Sequence, residues 1–344
     1  MENEKKGVSV WDKVHAVGIF ILGIAAIVMV GDPLIQRILP AAQPAPQPQQ
    51  VISGYGLPPV QTVGGKTVSC AAPATYEDIS RAFVCVCPAA KQPPIGSGIF
   101  VGVNSPDGLK VYLLTARHVA ELCMAANGMD SVTFIVHRPN ATNDYRKTYH
   151  GGAVRWGFAT TGSDLAVVDV TQSFHSLRDE GVDARYVFLQ HTPMPVDDPA
   201  AVQGSFLIRR SDFDKYHLGL GTEVGVLGLA TEIWDSMIDR GRQPLGFRTG
   251  RVAIRNDSLP RSPTGAAPIY IIESDIHPGY SGGPVFATFK INGLDYLALI
   301  GIVKGCLGKR PENVTAINGD KLTGLFQSSG FATVAPLDDL MPAK

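Results

Sequence analysis

His277-Pro278-Gly279-Tyr280-Ser281-Gly282-Gly283-Pro284 sets one serine among three glycines immediately before the apolar run Val285-Phe286-Ala287-Thr288-Phe289. A glycine-rich turn delivering a hydroxyl at the mouth of a strand is what nucleophilic catalysis needs. The glycines let the backbone bend so that the amides of Gly279 and Ser281 can face a developing oxyanion. Such donors are commonly worth about 3 kcal/mol of barrier. Taken alone, the stretch is equally a tight turn, so its meaning depends on the rest of the chain.

A serine hydroxyl is a poor nucleophile until a base takes its proton, and a base needs a carboxylate to hold it in register. Both are present upstream in matching contexts. Leu114-Thr115-Ala116-Arg117-His118-Val119 is an apolar strand ending in a histidine where the chain turns. Ser163-Asp164-Leu165-Ala166-Val167-Val168 carries an aspartate into a strand. A single histidine at a strand end is ordinarily a satisfied surface or core residue, and a single aspartate there is a turn residue. The weight lies in the ordered set His118, Asp164, Ser281.

That order excludes another serine hydrolase architecture. Gly279-Tyr280-Ser281-Gly282-Gly283 also fits the G-x-S-x-G nucleophile elbow, whose partners follow in the order Ser, Asp, His. All eight histidines precede Ser281, His277 being the last.

Around these motifs the body of the chain is a series of short apolar runs divided by turn residues. RAFVCVC, SGIFVGV, KVYLLTA, SVTFIVH and DLAVVDV come before a proline-marked gap, HTPMPVDDPAA. After it come SFLIRR, EVGVLGLA, GRVAIRN, APIYIIES, GGPVFATF and DYLALIGIV. Runs this short and this rich in Val, Ile, Phe and Tyr predict strands. None alternates with a long helix, so the expectation is an all-β fold in two units, about 76–175 and about 204–335. Helix is expected only just after Ala116 and in the C-terminal APLDDLM.

The motifs resemble those of trypsin-like serine proteases. TARHV is similar to their histidine element, SDLAVV to their aspartate element and HPGYSGGPVF to their nucleophile loop. GSGIFV, LIGIV and GFATVAPLDDL have counterparts in the bacterial HtrA/Deg-type branch, which the set resembles most closely. The resemblance spans roughly residues 76 to 340. It implies two antiparallel β-barrels of the chymotrypsin-like fold, with His118 and Asp164 from the first and Ser281 from the second. It further implies an oxyanion hole at Gly279 and Ser281, a polypeptide substrate and hydrolysis through an acyl-enzyme.

Departures from the pattern carry information. Tyr280 stands where many such enzymes place an aspartate to pair with a newly cut N-terminus, so activation by that route is not expected. Only Met341-Pro342-Ala343-Lys344 follow Leu340 here, so the PDZ domain many HtrA relatives append is not expected. Asp275 lies six residues before Ser281, the offset of a carboxylate that recognises Lys or Arg in trypsin-type enzymes. A strand-end aspartate paired locally is the competing reading. Lys304 falls just past the IGIV strand, where relatives line the primary specificity pocket.

The amino-terminal end reads differently. Val14 to Val30 contains no Asp, Glu, Lys or Arg. As a helix rising 1.5 Å per residue it would reach roughly 26 Å, slightly short of the ~30 Å hydrocarbon core. Lys5, Lys6 and Lys13 precede it and only Arg37 follows closely. That bias predicts a cytoplasmic N-terminus (1–13), a signal-anchor (14–30) and a body outside the cytoplasm, most simply on the periplasmic face of a bacterial inner membrane. A cleaved signal peptide would need small residues at its cleavage site, and Pro40-Ala41-Ala42 is a poor match. Residues 31–73 include PAAQPAPQPQQ, a proline-rich spacer biased to polyproline II. The protease-like domain then occupies 74–344.

Composition narrows the partners. Thirty Lys plus Arg balance 31 Asp plus Glu, leaving no field to gather nucleic acid. No Cys or His spacing resembles a zinc site, so neither metal nor cofactor is expected. Five cysteines leave at least one unpaired or paired between chains. Cys85 and Cys87 would share a strand face and cannot bridge each other, while either could reach Cys70 or Cys123. Self-association is left open. The competing class is a silent or latent protease fold used as a binding or scaffolding module.

Overall fold

The computed structural model describes residues 60–63, 66–69 and 72–338, the last apart from 90–91, 128–130, 139–143, 151–154, 160–162, 191–195, 210–211, 231–244, 256–269, 292–293, 310–313, 316–320 and 323–326. The expected signal-anchor and the spacer as far as residue 59 lie outside the described residues, as does Cys70. Among the described residues no helix is long and apolar enough to cross a membrane. Residues 60–69, assigned to the spacer by composition, contain a hairpin of β1 (Val60–Val63) and β2 (Lys66–Ser69).

The first half of the body is one curled antiparallel sheet. Its strands are β3 (Phe83–Cys87), β4 (Gly96–Ser105), β5 (Gly108–Thr115), β6 (Ser131–Val136), β7 (Tyr145–His150), β8 (Trp156–Phe158) and β9 (Ala166–Asp169). They pair in the order β7-β6-β3-β4-β5-β9-β8, and β10 (Val187–Phe188) adds in parallel to β4. Among the described residues β7 and β8 remain edges. Helices α1 (Tyr76–Ser80), α2 (Arg117–Asn127) and α3 (Thr171–Asp179) pack around it.

The second half closes completely. β12 (Glu223–Leu229), β13 (Leu245–Arg255), β14 (Tyr270–Glu273), β15 (Pro284–Ile291), β16 (Leu294–Lys309) and a final strand, Gln327–Pro336, form a six-stranded ring. The ring shuts where the final strand pairs antiparallel with both β14 and β16. β11 (Phe206–Leu207) joins outside the ring, parallel to β16. Two short strands, β17 (Val314–Thr315) and β18 (Lys321–Leu322), pair between β16 and that final strand, which is therefore β19. The all-β, two-barrel expectation is met. In the C-terminal APLDDLM, β19 runs through Ala335 and Pro336, and the chain bends at Leu337 into a 3₁₀ turn at Asp338, the last described residue.

Three apolar clusters explain why the strand runs are so continuously hydrophobic. One fills the first sheet, around Phe100, Phe134, Phe174 and Tyr186. Another fills the closed barrel, around Phe206, Phe213, Tyr270 and Tyr280. A third lies between the halves and joins Phe83, Ile99 and Leu114 to Leu227, Phe286, Leu299 and Ile302. β3, β6 and the first seven residues of β4 are therefore buried on both faces. Period-two alternation is lost there, because neither face meets water.

Cys85, Cys87 and Cys123 are buried free thiols and Cys306 is a half-buried one. Burial pushes Cys87 up to about 11 and Cys123 up to about 12, which leaves little thiolate at neutral pH.

Candidate active site

The acid–base pair forms where β5 gives way to α2. The first amides of a helix have no partner within it, so something outside must accept them. Asp164 does this from the link that enters β9. Its backbone carbonyl accepts from the Arg117 N–H at 3.2 Å, and its Oδ1 accepts from the His118 N–H at 3.1 Å. Its other oxygen, Oδ2, lies 2.8 Å from His118 Nδ1. One carboxylate thus caps the helix and orients the imidazole that the helix carries.

Burial alone would raise the Asp164 carboxyl. The side-chain bond and charge of His118, the His118 amide and the charge of Lys304 together outweigh it and hold the group below its ordinary range. An ionised carboxylate can only accept, so Nδ1 carries the imidazole proton and Nε2 keeps its lone pair. The side chain of Asp164 is 11% exposed while that of His118 is 43% exposed. The imidazole is partly open to solvent, and the carboxylate that orients it is largely covered.

Ser281 arrives from the other half, on the loop between β14 and β15. Its carbonyl accepts from the Ser97 N–H at 2.8 Å, at the start of β4. Gly282 has φ +85°, and a Cβ there would lie 2.1 Å from the Ser97 carbonyl and 2.2 Å from Thr115 Oγ1. Only glycine fits that turn. Thr115 closes β5 three residues before His118, so the fit brings the serine loop against the segment that bears the base. Two further bonds fix the loop to β16: Gly282 N–H to the Val303 carbonyl and Val303 N–H to the Gly283 carbonyl, each 2.8 Å.

Gly279 is buried with φ +104°. Among the described residues nothing accepts the N–H of Gly279 or of Ser281. The carbonyl of Gly279 is taken instead: it accepts from Ser97 Oγ at 2.7 Å, and that same Oγ accepts from the Leu229 N–H at 2.9 Å. Ser97 is completely buried, so this hydroxyl ties the loop to strands of both halves. Sequence reading passed over Ser97. Its only signal was the Gly96-Ser97-Gly98 run, in which a small polar residue sits between two glycines.

Tyr280 is fully buried rather than exposed in the cleft. Its ring lies over Gly228 and Gly246, which face each other across β12 and β13. A Cβ at either glycine would overlap the tyrosine, so the pair forms a notch that the ring fills. The residue beside the serine is thus a core anchor, which accounts for the departure noted at this position.

The two expected specificity residues lie apart from one another in character. Asp275 is exposed, and its carboxylate is 3.6 Å from His277 Nε2. Its carbonyl accepts from Arg248 Nε at 3.2 Å. Lys304 is exposed on β16, immediately after the Val303 that binds the serine loop, and its charge reaches Asp164.

No protein-family model and no curated relative matches this chain. Similar solved structures include the MamO protease domain from Magnetospirillum magneticum in its apo form, with 14% identity, 77% of this chain and 97% of that chain covered, and a TM-score of 0.36. Thermobifida fusca protease A shares 11% identity over 74% of this chain and 90% of its own, with a TM-score of 0.31. Cellulomonas bogoriensis chymotrypsin shares 14% over 79% and 92%, with a TM-score of 0.27. All three carry protease names.

Proposed function

We propose that this chain is a membrane-tethered serine endopeptidase of the trypsin-like type, with His118, Asp164 and Ser281 as its triad. The observation that carries the reading is the two-point grip of Asp164 on His118, with the Ser281 turn packed against the same end of β5. In this mechanism Ser281 Oγ attacks the scissile carbonyl carbon while His118 Nε2 takes its proton. The unclaimed amides of Gly279 and Ser281 stabilise the oxyanion. The intermediate collapses as His118 returns the proton to the leaving amine, and water then hydrolyses the acyl-enzyme.

The motif set favours the HtrA/Deg-type branch, and the apolar run 14–30 with its preceding lysines favours an inner-membrane anchor with the body in the periplasm. Asp275 would recognise a basic side chain in the substrate; its exposure and its His277 neighbour favour local pairing instead. The test is labelling of the full-length protein with a fluorophosphonate probe, beside Ser281→Ala and His118→Ala. Labelling of the wild type alone is expected. Absence of labelling in a folded wild-type sample would point to a latent site or to a binding or scaffolding module.

A further inference from the structure

The ribbon formed by β12 and β13 meets a tyrosine on each of its faces. On the inner face Tyr280 fills the notch over Gly228 and Gly246. On the outer face Tyr76, from the first turn of α1, lies over Gly225, where a Cβ would overlap its ring and hydroxyl. The Tyr76 ring also lies 4.4 Å from that of Phe247, centroid to centroid, at a tilt of 51°. Strand alternation explains the two faces. Val224 and Val226 join the barrel core on the same side as Gly228, so Gly225 points outward. On β13 Gly246 faces inward and Phe247, the next residue, faces outward.

The outer tyrosine is braced from the other half of the molecule. Thr75 and Asp78 close a capping box at the start of α1. Just past its end, the Arg81 carbonyl accepts from the Arg185 N–H at 3.0 Å and the Ala82 carbonyl from the Phe100 N–H at 2.8 Å. Arg81 pairs with Asp183 at 3.1 Å. Phe100 lies on β4, and Asp183 and Arg185 lie between α3 and β10, all in the first half. Tyr76 is therefore held by the first half and applied to the second.

From Phe247 the route to the nucleophile is short. Gly246 precedes Phe247 and accommodates the Tyr280 hydroxyl, and Tyr280 precedes Ser281. Arg248 follows Phe247 and donates from Nε to the Asp275 carbonyl at 3.2 Å, at the root of the serine loop.

We propose that Tyr76 is a positioning residue for the Ser281 loop: braced on the first half through α1, it supports the β12–β13 ribbon from outside, opposite Tyr280, and so holds the Gly279 and Ser281 amides in place. The inference rests on the proposed function, but the packing it invokes can be followed without turnover. Tyr76 touches neither Ser281 nor the His118–Asp164 pair. Its removal lets the ribbon bow outward, which widens the notch and frees the ring that anchors the loop, because a close-packed interior transmits such a shift.

The experiment compares full-length wild type, Tyr76→Ala and Tyr76→Phe. Hydrogen exchange is followed by mass spectrometry in a peptide spanning 278–284, relative to one spanning 294–300 in β16 of the same barrel. The first contains the Gly282 and Gly283 amides, bonded to the Val303 and Tyr280 carbonyls at 2.8 Å. A general loss of stability speeds both peptides alike, so only a local effect moves the ratio. In Tyr76→Ala the ratio should rise about tenfold. Fluorophosphonate labelling is measured over a range of probe concentrations. Its maximal rate should fall about tenfold in Tyr76→Ala, while the half-saturating concentration stays within about twofold, because the reacting geometry and not probe binding is disturbed. Tyr76→Phe keeps the ring against Phe247 and should follow wild type in every reading.

An unchanged exchange ratio in Tyr76→Ala overturns the proposal, as does a change in Tyr76→Phe as large as that in Tyr76→Ala. Should Tyr76→Ala not fold, Gly225→Ala, whose methyl displaces the ring from the ribbon, takes its place with the same expected outcomes. A folded wild type that never labels counts against the proposed function, while the exchange ratio still decides the role of Tyr76.

Discussion

On the β9 side of the cleft, His118 is fixed through side chains: one carboxylate holds its ring at 2.8 Å and its amide at 3.1 Å. On the β15 side, Ser281 is fixed through backbone. Its carbonyl, those of Gly279 and Gly283, and the Gly282 N–H are each bonded to a neighbouring strand. The side chains that secure this loop are Tyr280 and Ser97, and neither takes part in chemistry. A base must change charge during turnover, so its holder must be a charged group that responds. A nucleophile needs only a fixed position, and main chain with tight packing provides that. Substitutions on the first side should therefore alter chemistry while sparing the fold, and those on the second should alter both together.

The largest effect expected after removal of the serine itself is from Asp164→Asn. The amide keeps the shape of the carboxylate but can present a donor to Nδ1, favouring the wrong tautomer. Labelling should fall by about 10⁴-fold, in a variant that still folds but is less stable than wild type at neutral pH. The same variant tests the acid behaviour. A carboxyl held below its ordinary range contributes stability above its unfolded value, about 3.9, and loses that contribution as pH falls through the lower folded value. Urea midpoints should therefore converge between wild type and Asp164→Asn as pH drops below about 4. A gap that persists in acid would break the comparison, since it would make Asp164 a packing residue.

Next comes Tyr280→Ala. Emptying the notch over Gly228 and Gly246 should cost about 3–4 kcal/mol in denaturant unfolding, the usual range for deleting a buried aromatic. Labelling should fall with it, because the loop loses its anchor. A variant that loses stability but labels at the wild-type rate would show that backbone bonds alone suffice to place Ser281.

The smallest effect should come from Ser97→Ala. It removes the donor to the Gly279 carbonyl and the acceptor for the Leu229 N–H, leaving two buried groups unpaired. A loss of about 2 kcal/mol is expected. Labelling should slow by about tenfold as Gly279 gains freedom. Ser97→Thr, which keeps the hydroxyl, would sharpen the result by separating the hydrogen bond from the crowding beside Gly96 and Gly98.

The same contrast governs what could be read from the chain alone. β3, β4, β6 and β12 lie between two cores, so their runs are apolar throughout and stand out against the turns. β7, reading Tyr-Arg-Lys-Thr-Tyr-His, is an edge on which Tyr145, Lys147, Thr148 and Tyr149 are half-buried and Arg146 is exposed, and it carries no such signal. α3 escaped because its inward stripe holds only Ser173, Phe174 and Leu177 within a polar stretch, too little to establish a helical period. α2 was expected, since a histidine at a strand end must be followed by a turn of chain. At the candidate site, His118, Asp164 and Ser281 were legible as candidates because the types and order of a triad are constrained. Ser97 and the notch under Tyr280 were not, because the partners of Ser97 lie 182 and 132 residues away and no local pattern encodes them.

Those long separations have a consequence for how the cleft comes into being. Synthesis delivers His118 and Asp164 well before Ser281, and β19, which shuts the second ring, emerges last of the described strands. Contacts so distant along the chain form late, after the entropy of closing a long loop has been overcome. A nascent chain holding only the first sheet would own a base with nothing to deprotonate. On the proposed reading, hydrolytic competence would then switch on only with the final stage of folding.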